Sequence, residues 1–148
     1  MTDVFRFLTG EGPDAAGRDV DQVLAFDNAQ LEHRHDFIQW LFPLTQPSAA
    51  VPGSPVLTSA MVADLTRSPA AQAHLAAAAA RMLSFYERSD QWLRPADHNH
   101  LRITRIIRSL RLLAGDAAAD GFRRRILERV AAAGAPVGAA ALRFWAEA

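Results

Sequence analysis

Leu31-Glu32-His33-Arg34-His35-Asp36-Phe37-Ile38-Gln39-Trp40-Leu41-Phe42-Pro43 is the stretch on which the fold turns. It has no strict two-residue alternation, and it ends on a proline, whose ring and missing N–H stop a helix. With Asn28 as cap, the spacing predicts a helix over Gln30–Phe42. On a helical wheel Leu31, His35, Ile38 and Phe42 share one side. Phe37, Trp40 and Leu41 fall on other sides, so most of the circumference is apolar, which marks a central helix. Glu32, Asp36 and Gln39 remain as a narrow polar stripe.

Outward from that stretch the pattern stays helical. On the N-terminal side, Val4–Leu8 reads as a short apolar arm broken by Gly10, Gly12 and Pro13. Asp19 then caps a short helix through Phe26. On the C-terminal side, Pro43 to Pro55 is an extended connector with too many apolar residues to float free. Thr58 opens a helix to about Arg67. Ser68-Pro69 is a strong start signal for another, to about Arg88, with Leu75, Ala79, Met82, Leu83 and Tyr86 inward. A second dense helix is expected from Asp97 or His98 to Ala114, with Gly115 as its left-handed stop. Asp116 to Ala133 and a last segment opened by Pro136 complete the chain. The fold class is therefore all-α: one compact domain of about six helices over 1–148, an N-terminal arm and loop at 1–18, a helical body at 19–148, and no sheet.

Bulk properties agree. The 148 residues suffice for one domain with its own core. No Cys is present, which removes disulfides, thiolate metal sites and thiol catalysis, and fits a reducing cytoplasm. The N-terminal sequence lacks a basic region followed by an apolar core, so no secretory signal is read there, and no apolar run approaches the ~20 residues that span a bilayer. Every basic side chain is Arg, and the formal net charge is zero. Residues 1–80 carry four Arg against nine acids, whereas 81–148 carry twelve Arg against seven. That asymmetry implies either that the halves face each other or that a basic surface is displayed locally.

Two polar segments hold the candidate site residues: Glu32, His35, Asp36, Gln39 and Trp40 in the first, and His98, Asn99, Arg102 and Arg105 in the second. An unpaired buried carboxylate costs several kcal/mol, so Glu32 or Asp36 is expected to pair with Arg102 or Arg105 and tie two neighbouring helices together. That network is read as structural, or as a polar pocket in which Arg holds a small anion or a peptide carboxylate. His35 is expected as a core histidine on the apolar face. Arg102, Arg105, Arg108 and Arg111 recur every third residue, so they fan around an outer face, with Leu101 and Leu112 partly covered in that arc. Of Trp92 and Trp145, one is expected to be exposed or to make a dimer contact. No diagnostic metal spacing, phosphate-binding glycine motif or nucleophile elbow occurs, so neither metal nor cofactor nor catalysis is expected. The leading expectation is a non-catalytic binding module for a short peptide or small anion. The alternative is an Arg-mediated nucleic-acid-associated protein, against which the zero net charge stands.

The two segments also resemble a known family. Leu31–Pro43 has the form LExxHxxIQWLFP, and His98–Ile106 followed by Ser109-Leu110 has the form HNxLRITRI then SL. Between them Leu83-Ser84-Phe85-Tyr86 resembles an LxFY element, and Asp14 with Gly17-Arg18 resembles an early element of microbial members. From about Phe5 to Ile126 the chain resembles the conserved region of the opioid growth factor receptor family, as a small microbial member. The resemblance implies the helical fold. The animal namesake is described as a receptor for the pentapeptide Met-enkephalin, associated with the nucleus and restraint of growth.

Overall fold

Side-chain caps start most of the helices. In the computed structural model, which describes residues 3–148, Asp3, Asp19, Asp27, Thr58, Ser68 and Asp97 each accept a backbone N–H at a helix start. Asp19 and Asp27 complete reciprocal capping boxes with Gln22 and Gln30. Nine helices are present among the described residues: α1 Val4–Thr9, α2 Val20–Leu24, α3 Asn28–His33, α4 Ile38–Leu41, α5 Ser59–Arg67, α6 Pro69–Arg88, α7 His98–Leu113, α8 Asp116–Ala132 and α9 Ala139–Glu147. The all-α class stands. The only β element among the described residues is an isolated bridge, Leu44 to Val56.

Two local features raise to nine the seven helical segments that the spacing marks out, counted above as about six. The expected arm is itself a helix. Asp3 caps it, Gly10 ends it in the left-handed region (φ 84°), and Val4, Phe7 and Leu8 are fully buried. It packs against α6, α4 and α5. The expected Gln30–Phe42 helix is broken in two, and its cap is Asp27 rather than Asn28. At Arg34 the backbone turns extended (ψ 135°), and helix resumes only at Ile38. Arg102 caps the break. Its Nη1 donates to Leu31 O at 2.7 Å and its Nη2 to Arg34 O at 2.5 Å. In an unbroken helix those carbonyls would accept from His35 and Ile38. The guanidinium takes both places, so the break leaves neither carbonyl orphaned.

The core is one cluster running from Val4 to Trp145. α7 lies within it and packs on α8, α9, α5 and α6, burying Ile103, Ile106, Ile107, Leu110 and Leu113. The expectation of four arginines fanning outward fails at Arg102, which is buried, while Leu101 in the same arc is 71% exposed. The expectation that Trp92 or Trp145 is exposed also fails, because both are fully buried. Each indole N–H finds a carbonyl: Trp92 donates to Tyr86 O at 3.1 Å and Trp145 to His100 O at 3.0 Å. Burial therefore leaves no polar atom stranded.

Charge asymmetry between the halves is not resolved by pairing across them. Among the described residues, the ion pairs form within each half, apart from His98 with Glu32.

Candidate functional site

The connector from Pro43 to Val56 positions the site. Leu57 N–H donates to Leu44 O at 2.9 Å, closing its base. Ser54 Oγ donates to Val51 O at 2.6 Å, and Gly53 takes the left-handed backbone (φ 83°) that its turn needs. The loop thus stands as a wall facing α7. Between them lies a groove of about 470 Å³. Its apolar lining comes from Ile38, Leu44, Val51 and Leu101. Its polar lining comes from His35, Gln39, His98, Arg102, Arg105 and Arg108. Among the described residues no Asp or Glu lines it, nor does any Phe, Tyr or Trp.

Two of the residues lining this groove each carry a buried polar atom that lacks a partner among the described residues. Arg105 donates from Nε to Phe42 O at 2.9 Å, but its buried Nη2 has no acceptor. Gln39 is 7% exposed, and its Oε1 has no donor. Buried polar atoms without partners are rare in folded proteins and call for an explanation. Burial, with a smaller push from Arg108, lowers the Arg105 guanidinium to about 10, so it stays charged at neutral pH. His35, although exposed, is also lowered, first by the partial desolvation of its ring and then by the positive charge of Arg102 and the neighbouring His98. Two separate bases on this groove are therefore held toward their neutral forms, the more so for their cationic neighbours, as expected where positive charge outweighs negative.

Beside the groove runs a second network. Glu32 accepts from Gln91 Nε2 at 2.6 Å and lies 2.8 Å from His98 Nε2. Asn99 Nδ2 donates to Glu32 and to Asp97, and Asn99 Oδ1 accepts from the buried Tyr86 hydroxyl at 3.1 Å. Asp97 is held below the usual carboxylate range: its burial acts upward, but the Asn99 backbone and side-chain hydrogen bonds, His98 and Arg94 outweigh it. Each member has a partner, so this network reads as a fastener between α3 and the start of α7.

The expected residues are thus divided. His35, Gln39, His98, Arg102 and Arg105 line the groove. Glu32 and Asn99 belong to the adjoining network. Asp36 is turned away and pairs with Arg18 at 3.1 Å, which in turn holds the buried Asp14 at 2.8 Å. Trp40 is buried against Phe7, their rings 5.4 Å apart and edge-on. The expected ion pairs of Glu32 or Asp36 with Arg102 or Arg105 do not form: the Leu31 and Arg34 carbonyls at the helix break take the Arg102 guanidinium, and Arg105 Nε donates to Phe42 O at the end of α4. His35 is not a core histidine. It falls in the break, is exposed, and packs its ring 5.6 Å from that of His98. Arg108 and the connector wall were not among the expected site residues. The i, i+3 spacing of Arg105 and Arg108, and the apolar content of the connector, were the signals available.

Among the described residues no three of His, Asp and Glu gather closely enough to hold a metal ion, and no helix is long and apolar enough to cross a membrane.

Fold and site together define a small all-helical scaffold with a cationic groove of mostly aliphatic wall. Comparison with known proteins supplies its kin: the model of the opioid growth factor receptor conserved region matches residues 13–89, and the chain belongs to that family. It is 35% identical to opioid growth factor receptor-like protein 1 of Xenopus tropicalis over 114 residues, covering 66% of this chain and 21% of that protein. The mouse protein of the same name is 29% identical over 119 residues, 69% of this chain and 25% of the relative. The human opioid growth factor receptor is 36% identical over 98 residues, 54% of this chain and 14% of the relative. The chain therefore spans a quarter or less of the length of these relatives. No solved structure matches it.

Proposed function

We propose that this chain is a non-catalytic binding module whose groove takes a small anion or the carboxylate of a short peptide. The observation that carries the reading is Arg105, whose buried Nη2 is a charged donor without an acceptor, beside a groove lined by no acid. A carboxylate accepts from a guanidinium in a short, charge-assisted geometry that water reproduces poorly in a half-enclosed site. The name of the human relative, opioid growth factor receptor, agrees with a ligand-binding role. A cytoplasmic setting belongs to this reading and is supported by the absence of Cys. The nucleic-acid alternative needs a continuous basic face. It loses support because Arg111 and Arg123 are engaged by Asp116 and Asp120, Arg125 by Glu87, and Arg102 by carbonyls.

The test is calorimetric titration with a short aliphatic peptide bearing a free C-terminal carboxylate, beside its C-terminal amide. Binding of the acid should be about tenfold tighter than that of the amide, and Arg105→Gln should remove the difference. Equal affinities for acid and amide in the wild type would sink the reading.

A further inference from the structure

We propose that the anion best suited to this groove is a phosphate monoester on a small aliphatic body, in preference to a carboxylate. The inference rests on the anion-binding reading above and deepens it. Of the three arginines on the groove, Arg102 is consumed by the carbonyls of the helix break. Arg105 Nη2 is buried without an acceptor among the described residues. Arg108 is exposed, and its one side-chain bond, to Gln46 Oε1, is long at 3.4 Å. Three residues apart on α7, Arg105 and Arg108 are neighbours, and the charge of Arg108 adds to the cost of keeping Arg105 charged, with no acid of the groove lining to offset it. A carboxylate brings one negative charge to this pair. A phosphate monoester brings −1.5 to −2 at neutral pH and three acceptor oxygens, enough for both guanidinium groups at once.

The rest of the groove describes what the phosphoryl group is attached to. Ile38, Leu44, Val51 and the exposed Leu101 form an aliphatic wall. No Phe, Tyr or Trp lines it, so a nucleobase finds no stacking platform there. Ser48 Oγ, on the opposite wall, accepts from Val51 N–H at 3.3 Å and retains its own proton for a ligand oxygen.

Matched ligands separate the ideas. Butyl phosphate and pentanoate share an aliphatic body, and calorimetry at pH 7.5 and low salt should find the phosphate about tenfold tighter, the increment expected of a second charge-assisted contact. Arg108→Gln alters an exposed side chain and leaves the core intact. It should reduce that ratio to near one while changing pentanoate binding by less than about twofold. Arg105→Gln should weaken both ligands. Inorganic phosphate and adenosine monophosphate should bind no tighter than butyl phosphate, and either doing so would overturn the aliphatic part of the proposal. A pentapeptide with O-phosphoserine among Ala and Leu residues gives the source: tighter binding than butyl phosphate identifies a phosphorylated peptide, weaker binding a small ester, and both support the phosphoryl assignment. Pentanoate binding as tightly as butyl phosphate would overturn the phosphate preference and leave the anion reading standing. Failure of both ligands to bind would remove the two together.

Discussion

Arg102 shows how one side chain decides local structure. Its guanidinium offers a planar fork of donors, and the fork closes on Leu31 O and Arg34 O across the gap between α3 and α4. Its charge is expensive here, since burial lowers its pKa, with the Tyr86, Glu32 and Asp97 groups acting in the opposite direction. Arg102→Met keeps the stem and removes the fork, leaving two inward carbonyls unsatisfied at about 1–3 kcal/mol each. Urea unfolding should show a loss of about 2–4 kcal/mol, and Arg102→Lys should recover less than half, because a point charge does not bridge two carbonyls in a plane. A variant as stable as the wild type would mean the break is set by Phe37 and Ile38 packing instead. That the Arg102 helix meets the Leu31–Pro43 segment was legible from the sequence, whereas the burial of Arg102 and its partners were not. Side-chain patterns point to carboxylates as mates for Arg, but the carbonyls that won became available only when the helix broke, and no residue type announces that.

At the scale of elements, caps made the boundaries readable. Asp19, Thr58 and Ser68-Pro69 mark helix starts where the structure has them, and Gly134 turns left-handed (φ 84°) just after α8. Helices shorter than two turns were harder, since α1 and α4 offer too few residues for a 3.6-residue period to show. Glycines provide a test of element packing with opposite signs. A Cβ on Gly138 would sit 2.7 Å from Pro95 O, a backbone atom that also accepts the Gly138 N–H at 3.2 Å. Gly138→Ala should push α9 off the start of α7 and cost about 1–3 kcal/mol. Gly121 lies inside α8 with open space around it, so Gly121→Ala should stabilise by about 0.5–1 kcal/mol through helix propensity. Thermal melts of the two variants should move in opposite directions; the same direction for both would contradict the packing of α9 described above.

For the whole molecule the decisive fact is that one core joins both ends of the described chain, from Val4 in α1 to Trp145 in α9. The family match, 13–89, stops before α7 and omits α1. Yet Leu75, Met82 and Phe85 of α6 are buried in the core that α1, α7 and α8 help to close. Residues 13–89 produced alone should therefore lack a cooperative unfolding transition, while 1–148 should unfold in one step by circular dichroism and by Trp fluorescence together. Non-coincident transitions in the full chain would show that the core divides into separately folding parts. The all-helical class was legible because the strong patterns of α6 and α7 occupy much of the chain. The groove was not, because it is assembled from a connector without regular structure and from arginines whose usable atoms are known only after their other bonds are counted.

The clamp on the helix break has a consequence for how much the chain can vary. Arg102 grips oxygens that every amino acid possesses, so the identities of His33, Arg34 and Asp36 are irrelevant to the grip itself. At the groove mouth His35 is in this respect an open slot: it is exposed, so its side chain can be exchanged, and with it what the groove admits, while a single arginine on another helix keeps the path of the loop unchanged.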